Sequence, residues 1–492
     1  MWRGWTAFVN PSSYASLPER FFARVSPTPV AAPGLVKFND ALAAELGLTA
    51  PDAGTLSALF SGNALPEDCV PIAMAYAGHQ FGHFVPQLGD GRAILLGEMR
   101  NRAGAACDIQ LKGCGRTPFS RSGDGRAALG PVLREYLVSE AMHALKIPTT
   151  RALAAVTSGE SVQRETTMPG AILTRVAASH VRVGTFEYFA ARGDVAGTRI
   201  LADYVIGRHY PACAQERAPY LALLAQVISR QASLVARWMN IGFIHGVMNT
   251  DNMAVSGETI DFGPCAFLDM FDPAAVFSSI DQRGRYSFAN QPHAALWNLV
   301  RFAETLLPLI DADSNRAVDA ATEVIETFAP LFAESWLGGM RGKLGLSMQE
   351  DGDRRLAEDW LDAMHRSRAD FTLAFRALCE AALGPAHEEA VRGHVGQAGY
   401  EEWSQRWRAR MAREPTAPAA RAESMRQANP AFIPRNHRIE QMISAAIERA
   451  DFAPFEQLCK VLSQPWREQA AFAAYADPPQ PAERVLQTFC GT

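Results

Sequence analysis

Over residues 1–70 the apolar and polar positions give only a mixed lead-in, with helices predicted at Phe38–Leu48 and near Leu56–Phe60. From Gly78 the pattern turns to short apolar runs punctuated by glycine. PQLGDGRAILLGEM is apolar on both sides of a glycine turn, and CDIQLKG predicts a short strand ending in Lys112. After a Gly/Ser/Arg-rich loop, Pro131 opens a helix running to about Leu145, with Val132, Leu133, Tyr136, Leu137 and Met142 on its apolar face. AAVTSGESVQRE and GAILTRVAAS predict two further strands around a turn. Beyond Phe186 the period becomes helical: a long amphipathic helix over 217–240, then helices over 293–308, much of 354–412, and a last unit at 437–463. The segment 411–423, MAREPTAPAARAE, predicts a surface linker or flexible loop.

The expected fold class is therefore α+β: a small β-rich N-lobe, a larger helical C-lobe and an additional helical C-terminal region. The divisions fall at 1–70 (an extension packing on the N-lobe), 71–185 (N-lobe with nucleotide loops), 186–350 (C-lobe with the catalytic and metal loops) and 351–492. Composition narrows the function classes. The chain of 492 residues is 48% hydrophobic and 20% charged, with a formal net charge of -5, so no basic footprint for nucleic acid or an anionic membrane is expected. No apolar run approaches a membrane span, and MWRGWTAFVNPSSY is a poor signal peptide. Eight scattered cysteines show no CxxC pair, so a reducing, cytoplasmic setting is expected.

The chemistry concentrates in Ile244–Gly263, IHGVMNTDNMAVSGETIDFG. Asn252 and, nine residues on, Asp261 of Asp-Phe-Gly can supply two hard oxygen ligands to Mg²⁺, as the metal loops of a protein-kinase-like bilobal fold do. Short strands MAV and TI around a glycine turn would hold these groups on a rigid hairpin. Counting back from Asn252 against H-R-D-x-x-x-x-N, His245 takes the histidine place, Gly246 replaces the arginine and Val247 stands where the catalytic aspartate belongs. Valine accepts no proton, so Asp251 is the candidate replacement base.

Other candidates surround a phosphate. Gly89 and Gly91 would let the backbone approach one closely and Arg92 would add charge, although Asp-Gly is also an ordinary hairpin turn. Lys112 fixed by a helix glutamate can hold a phosphate without collapsing onto it; Glu135 is the preferred partner and Glu140 the rival. Arg116, Arg121, Asp124, Gly125 and Arg126 form a polar loop able to fold over a polyanion, and Arg175 and Arg182 offer planar donor forks to phosphate oxygens.

With those residues, the chain resembles the selenoprotein O family of protein adenylyltransferases. The likeness is carried by AYAGHQFGHFVPQLGDGRAILLGE, DIQLKGCGRTPFSRSGDGRAALGPVLREYLVSEAM, AILTRVAASHVRVGTFEYFA and HGVMNTDNMAVSGETIDFGPCAFLD. The resemblance implies a kinase-like fold binding ATP in reversed orientation. AMP would pass to Ser, Thr or Tyr hydroxyls of protein substrates, with pyrophosphate leaving. It implies nucleotide contacts from Gly89, Gly91 and Arg92, phosphate binding by Lys112 held by Glu135, and a covering loop with Asp124 and Gly125. Arg175 and Arg182 would stabilise the enclosed phosphates, Asn252 and Asp261 would bind Mg²⁺, and Asp251 would accept the proton. Mn²⁺ in place of Mg²⁺, and UTP in place of ATP, are compatible with it. It also suggests a redox pair between Cys265 and Cys490. A phosphotransferase and an inactive nucleotide-binding scaffold are the alternative readings; the sequence is silent on oligomeric state.

Overall fold

Strand alternation builds the N-lobe. The structure is a computed structural model describing residues 12–67 and 69–489. Its strands, in chain order, are β1 (Phe22–Arg24), β2 (Gly34–Phe38), β3 (Ile72–Met74), β4 (Gly78–Gln80), β5 (His83–Val85), β6 (Ala93–Arg100), β7 (Ala106–Lys112), β8 (Ala127–Ala128), β9 (Arg151–Gln163) and β10 (Thr167–Ala177). The main sheet runs β1-β3-β6-β7-β10-β9-β2, with β8 added against β10, and every pairing is antiparallel. On β6 and β7, Ile94, Leu96, Ile109 and Leu111 face one core with Leu56, Leu59 and Phe60 of helix Ala53–Ser61. The period of two sends Gln110 and Lys112 to the opposite face, beneath helix Leu129–Ala144. Gln110 pairs with Arg175 across β7 and β10, so three polar side chains share the face that looks toward the C-lobe.

That helix buries Val132, Leu133, Tyr136, Leu137 and Met142, the face its sequence period marks. The C-lobe is built on helix Pro219–Ile241, against which Gln291–Ile310 and Phe328–Leu344 pack. Residue 241 is followed by β11 (Phe243–Ile244), which pairs antiparallel with β12 (Ala266–Phe267). This two-strand clasp pins both ends of the loop 245–265. The last two long helices, Asn436–Arg449 and Ala453–Leu462, return to helix Leu129–Ala144, with the Tyr136 and Phe455 rings 5.5 Å apart and Arg134 paired to Glu440. Among the described residues, no helix is long and apolar enough to cross a membrane. The fold is bilobal α+β with kinase-like architecture, as the sequence predicts.

Three local expectations are corrected. MAV and TI do not form a hairpin: Ala254 bridges to Arg182, and Thr259 bridges to Thr149. Gln231, Tyr210 and Trp238 side chains hold this stretch instead, at Ala254 O, Val255 O and Thr259 Oγ1. Segment 411–423 is not a free linker, because helix Pro418–Arg426 begins within it. Buried Glu414 accepts from Ser347 N–H (2.8 Å) and Arg410 Nη1 (2.7 Å), which ties the turn down. Residues 88–92 are not a hairpin turn either. β5 pairs with β4 in a separate hairpin, and Asp90 is drawn inward to accept from Met74 N–H at 3.1 Å.

Candidate active site

A cleft of about 910 Å³ lies between the lobes. Of the predicted residues, Gly89, Gly91, Arg92, Asp124, Gly125, Asp251, Asn252 and Asp261 line it. Lys112, Glu135, Arg175 and Arg182 stand directly behind that wall. Lys112 Nζ donates to Glu135 Oε2 (2.6 Å) and to Asp261 Oδ1 (2.5 Å). Arg175 Nε donates to Glu135 Oε1 at 2.9 Å, and its Nη2 lies 3.6 Å from Asp261 Oδ1. Two cations thus alternate with two carboxylates. Glu140, the rival partner, is used elsewhere: it accepts from Arg151 and Asn39 on the far side of its helix.

Burial by itself would raise the pKa of both carboxylates. For Asp261 the Lys112, Arg175 and Arg92 charges outweigh it and hold the group far below the usual carboxylate range. For Glu135, Arg175 and then Lys112 do the same. Asp261 also has φ 71°, a left-handed conformation that aspartate tolerates better than most residues. Its side chain is 25% exposed, enough to meet a ligand in the cleft.

Asp251 is a contrasting carboxylate. It sits in the short turn Thr250–Asn252, 8% exposed, with Oδ2 accepting from Gln80 Nε2 (3.3 Å) and Oδ1 buried without a hydrogen-bond partner. Burial pushes its pKa up to about 6, against the opposing pull of Arg182. Arg182 donates to the Asp251 main-chain oxygen (3.2 Å), lies over the Tyr76 ring (4.5 Å) and approaches Asp90 at 3.8 Å. One aspartate is thereby held ionised by its cations, while burial works against ionisation of the other.

The loop itself is rigidly held. His245 is fully buried, its Nε2 2.9 Å from Ile260 O and its main-chain N–H donating to Gln291 Oε1. Burial lowers its pKa, so the ring is neutral and Nε2 carries the proton. Val247 lines the cleft where a kinase base would stand. Asn252 donates Nδ2 to Val247 O (3.0 Å), which turns its Oδ1 free for a cation. No cluster of three His, Cys, Asp or Glu suited to a metal exists among the described residues. Asn252 and Asp261 nevertheless fit Mg²⁺ in the way that ion is usually bound, by few protein oxygens plus phosphate and water.

Sequence reasoning missed several wall residues. Asp90 links Met74 N–H, Gln110 and Arg182, fixing the glycine loop onto the sheet. Gly89 lies so close to Phe119 that a Cβ would sit 2.3 Å from the ring. Arg164 reaches Asp124 (2.8 Å) and closes the outer loop. Tyr76 and Gln80 have no spacing signal, because they reach the site from a segment far off in the chain, 171 residues from Asp251 for Gln80, and Asn249, two residues before Asp251, matches no ligand or base position. Cys265 is buried, its thiol pushed up by burial to about 12. Thr488 donates to the oxygen of Pro264, beside Cys265, whereas Cys490 lies outside the described residues.

A sequence model of the family "Protein adenylyltransferase SelO" matches residues 6–463. Relatives named "Protein nucleotidyltransferase YdiU" are similar over almost the full length of both chains. One from Rhizobium etli is 60% identical over 491 residues, covering 99% of this chain and 98% of the relative. One from a Bradyrhizobium species is 61% identical over 488 residues, covering 99% of each. One from Rhodopseudomonas palustris is 60% identical over 488 residues, again covering 99% of each.

Proposed function

The chain belongs to the SelO family of protein adenylyltransferases and is a nucleotidyltransferase, and from that premise we propose that it transfers AMP from ATP to Ser, Thr or Tyr hydroxyls of proteins. The observation that carries this reading is the pair of unlike aspartates. Val247 removes the kinase base, while Asp251, with its carboxyl near pH 6 and Oδ1 unpartnered, stands one residue from the metal asparagine.

In this reading the acceptor hydroxyl loses its proton to Asp251 as its oxygen attacks the α-phosphorus, and the bond to the bridging oxygen breaks to release pyrophosphate. Asn252 and Asp261 would hold Mg²⁺, which would supply charge neutralisation for the phosphates. Lys112 and Arg175, paired with Glu135 and Asp261 behind the cleft wall, are buried cations of the kind that an enclosed phosphate tail would need. This supports a reversed nucleotide, with its terminal phosphates inward and its α-phosphate toward the acceptor. Arg92, Gly89 and Gly91 would contact the nucleotide at the wall, and Asp124 and Gly125 would cover it. Fixed cations and dipoles supply most of the rate acceleration, and proton acceptance a smaller share.

Intact-mass analysis of an acceptor incubated with ATP and Mg²⁺ tests the reading. A gain of about 329 Da marks AMP, and about 80 Da marks phosphate, masses fixed by the groups transferred. Loss of the AMP adduct in Asp251→Ala, with ATP binding retained, is the expected result. A phosphate adduct, or binding without any transfer, would replace the reading by a phosphotransferase or an inactive scaffold.

A further inference from the structure

The hairpin β4–β5 is docked onto the catalytic loop residue by residue. His79 N–H donates to Thr250 Oγ1 (2.6 Å), and Phe81 N–H donates to Asn249 Oδ1 (3.0 Å). Between them, the Gln80 carboxamide donates to Asp251 Oδ2 (3.3 Å). Three consecutive hairpin residues thus engage the three consecutive loop residues 249–251. The dock is braced on both sides. Glu187 receives Thr250 Oγ1 and contacts His79 Nδ1, both at 2.5 Å. Tyr286 donates its hydroxyl to Asn249 (2.8 Å), and its ring stands 5.1 Å from that of Phe81. The approach depends on Gly78, where a Cβ would lie 2.7 Å from Asp251 Oδ1.

We propose that Gln80 is a positioning residue for the transfer reaction: donating to Asp251 Oδ2 from the cleft wall, its carboxamide fixes the rotation of the carboxyl group that receives the acceptor proton. The inference rests on the reading of Asp251 as the base. Arg182, the nearest fixed cation, is engaged with the main-chain oxygen of Asp251. Gly78 packs against Oδ1, and the side-chain hydrogen bond that orients the carboxyl group comes from Gln80, which also lines the cleft. In the step itself the O–H bond of the acceptor breaks and its proton goes to the Asp251 carboxylate. The oxygen bonds the α-phosphorus, and the pyrophosphate oxygen leaves with the electron pair. A carboxylate free to rotate would be out of line with the acceptor for part of the time, and misplacement of a reacting group lowers turnover steeply.

Two substitutions separate donation from shape. Gln80→Met keeps the length and removes the donor; Gln80→Glu keeps the shape and replaces the donor by a repelling carboxylate. Transfer of label from α-labelled ATP, onto the chain itself and onto added casein, gives kcat and KM for each. The expected result is a kcat about tenfold lower for Gln80→Met, a still lower kcat for Gln80→Glu, and a KM for ATP within about twofold of wild type. Gln80→Glu at or above the Met variant would show a packing role and overturn the proposal. So would a wild-type kcat in both variants, or a loss confined to the KM for ATP. Label moving only from γ-labelled ATP would instead overturn the adenylyl reading, and the same ranking of variants, read with that label, would still judge Gln80. No transfer with either label would overturn both.

Discussion

Asp251→Asn should make the nucleotide-free protein more stable while removing transfer. The folded protein raises this carboxyl from 3.8 to about 6 because burial disfavours its charge. At about 1.4 kcal/mol per pH unit, a shift of about two units means that keeping Asp251 ionised costs the fold about 3 kcal/mol at neutral pH. Asparagine has nearly the same shape and no charge, and its oxygen can still accept from Gln80. Its amide group would face the unpartnered side of the pocket, which costs about 1 kcal/mol or more. A net gain of about 1–2 kcal/mol at pH 7.5 follows. The pH dependence identifies the cause. Because the folded pKa lies above the unfolded one, the folded state binds more protons between about pH 4 and 6. Wild-type stability from this group therefore falls as pH rises through that window and is level above it. The gap between variant and wild type should narrow by about 2 kcal/mol from pH 7.5 to pH 4.5. Urea unfolding in EDTA, without nucleotide, at both pH values measures it. A variant no more stable than wild type at pH 7.5, or a gap that ignores pH, would refute the argument that burial sets this pKa.

Asp261→Asn and Asp261→Ala should both abolish metal-dependent transfer, but Ala should lose about 1 kcal/mol more stability in urea, because φ 71° suits asparagine and strains alanine. Glu135→Gln removes the carboxylate shared by buried Lys112 and Arg175; a loss of about 3 kcal/mol in the same assay and weaker ATP binding by calorimetry are expected. Under reducing conditions at pH 8, native Cys265 should be alkylated far more slowly than partly exposed Cys107, since it is buried with a thiol near pH 12. Peptide mapping after oxidation then decides whether Cys265 and Cys490 link, and absence of that peptide removes the redox pair.

Much of the fold was legible because its periods are clean. The alternation of DIQLK and AILTR places Lys112 and Arg175 on the sheet face toward the C-lobe, and the helical period of 129–144 presents Glu135 from above. Local spacing failed where tertiary partners override it. Strand propensity in MAV and TI loses to hydrogen bonds from Gln231 and Tyr210 to the backbone and from Trp238 to the Thr259 hydroxyl. The Pro/Ala-rich 411–423 segment looks solvated until Arg410 and Glu414 are seen to pair. In the site, Asp251 and Asn252 were legible as neighbours, but Gln80 lies 171 residues from the carboxylate it touches, and no local pattern reports such a distance.

The charge pattern also bears on the order in which ligands enter. Asp261 is already neutralised by Lys112 at 2.5 Å, with Arg175 at 3.6 Å, and Asn252 carries no charge. A hard dication arriving alone would find one carboxylate occupied by cations and one neutral oxygen, too little to replace its hydration shell. On the proposed reading, nucleotide phosphates would change the balance, giving Lys112 and Arg175 a new partner and freeing Asp261 for the metal. Calorimetric titration of the nucleotide-free protein with Mg²⁺ should therefore show no saturable binding at about 1 mM, whereas binding should saturate in that range once ATP is present, reflecting the few protein oxygens on offer. Lys112→Met should strengthen binding of the metal alone while weakening that of ATP, since it releases Asp261 and removes a phosphate partner. Tight Mg²⁺ binding to the nucleotide-free wild type, or no gain in the Lys112 variant, would mean that the Lys112–Asp261 pair does not gate the metal position.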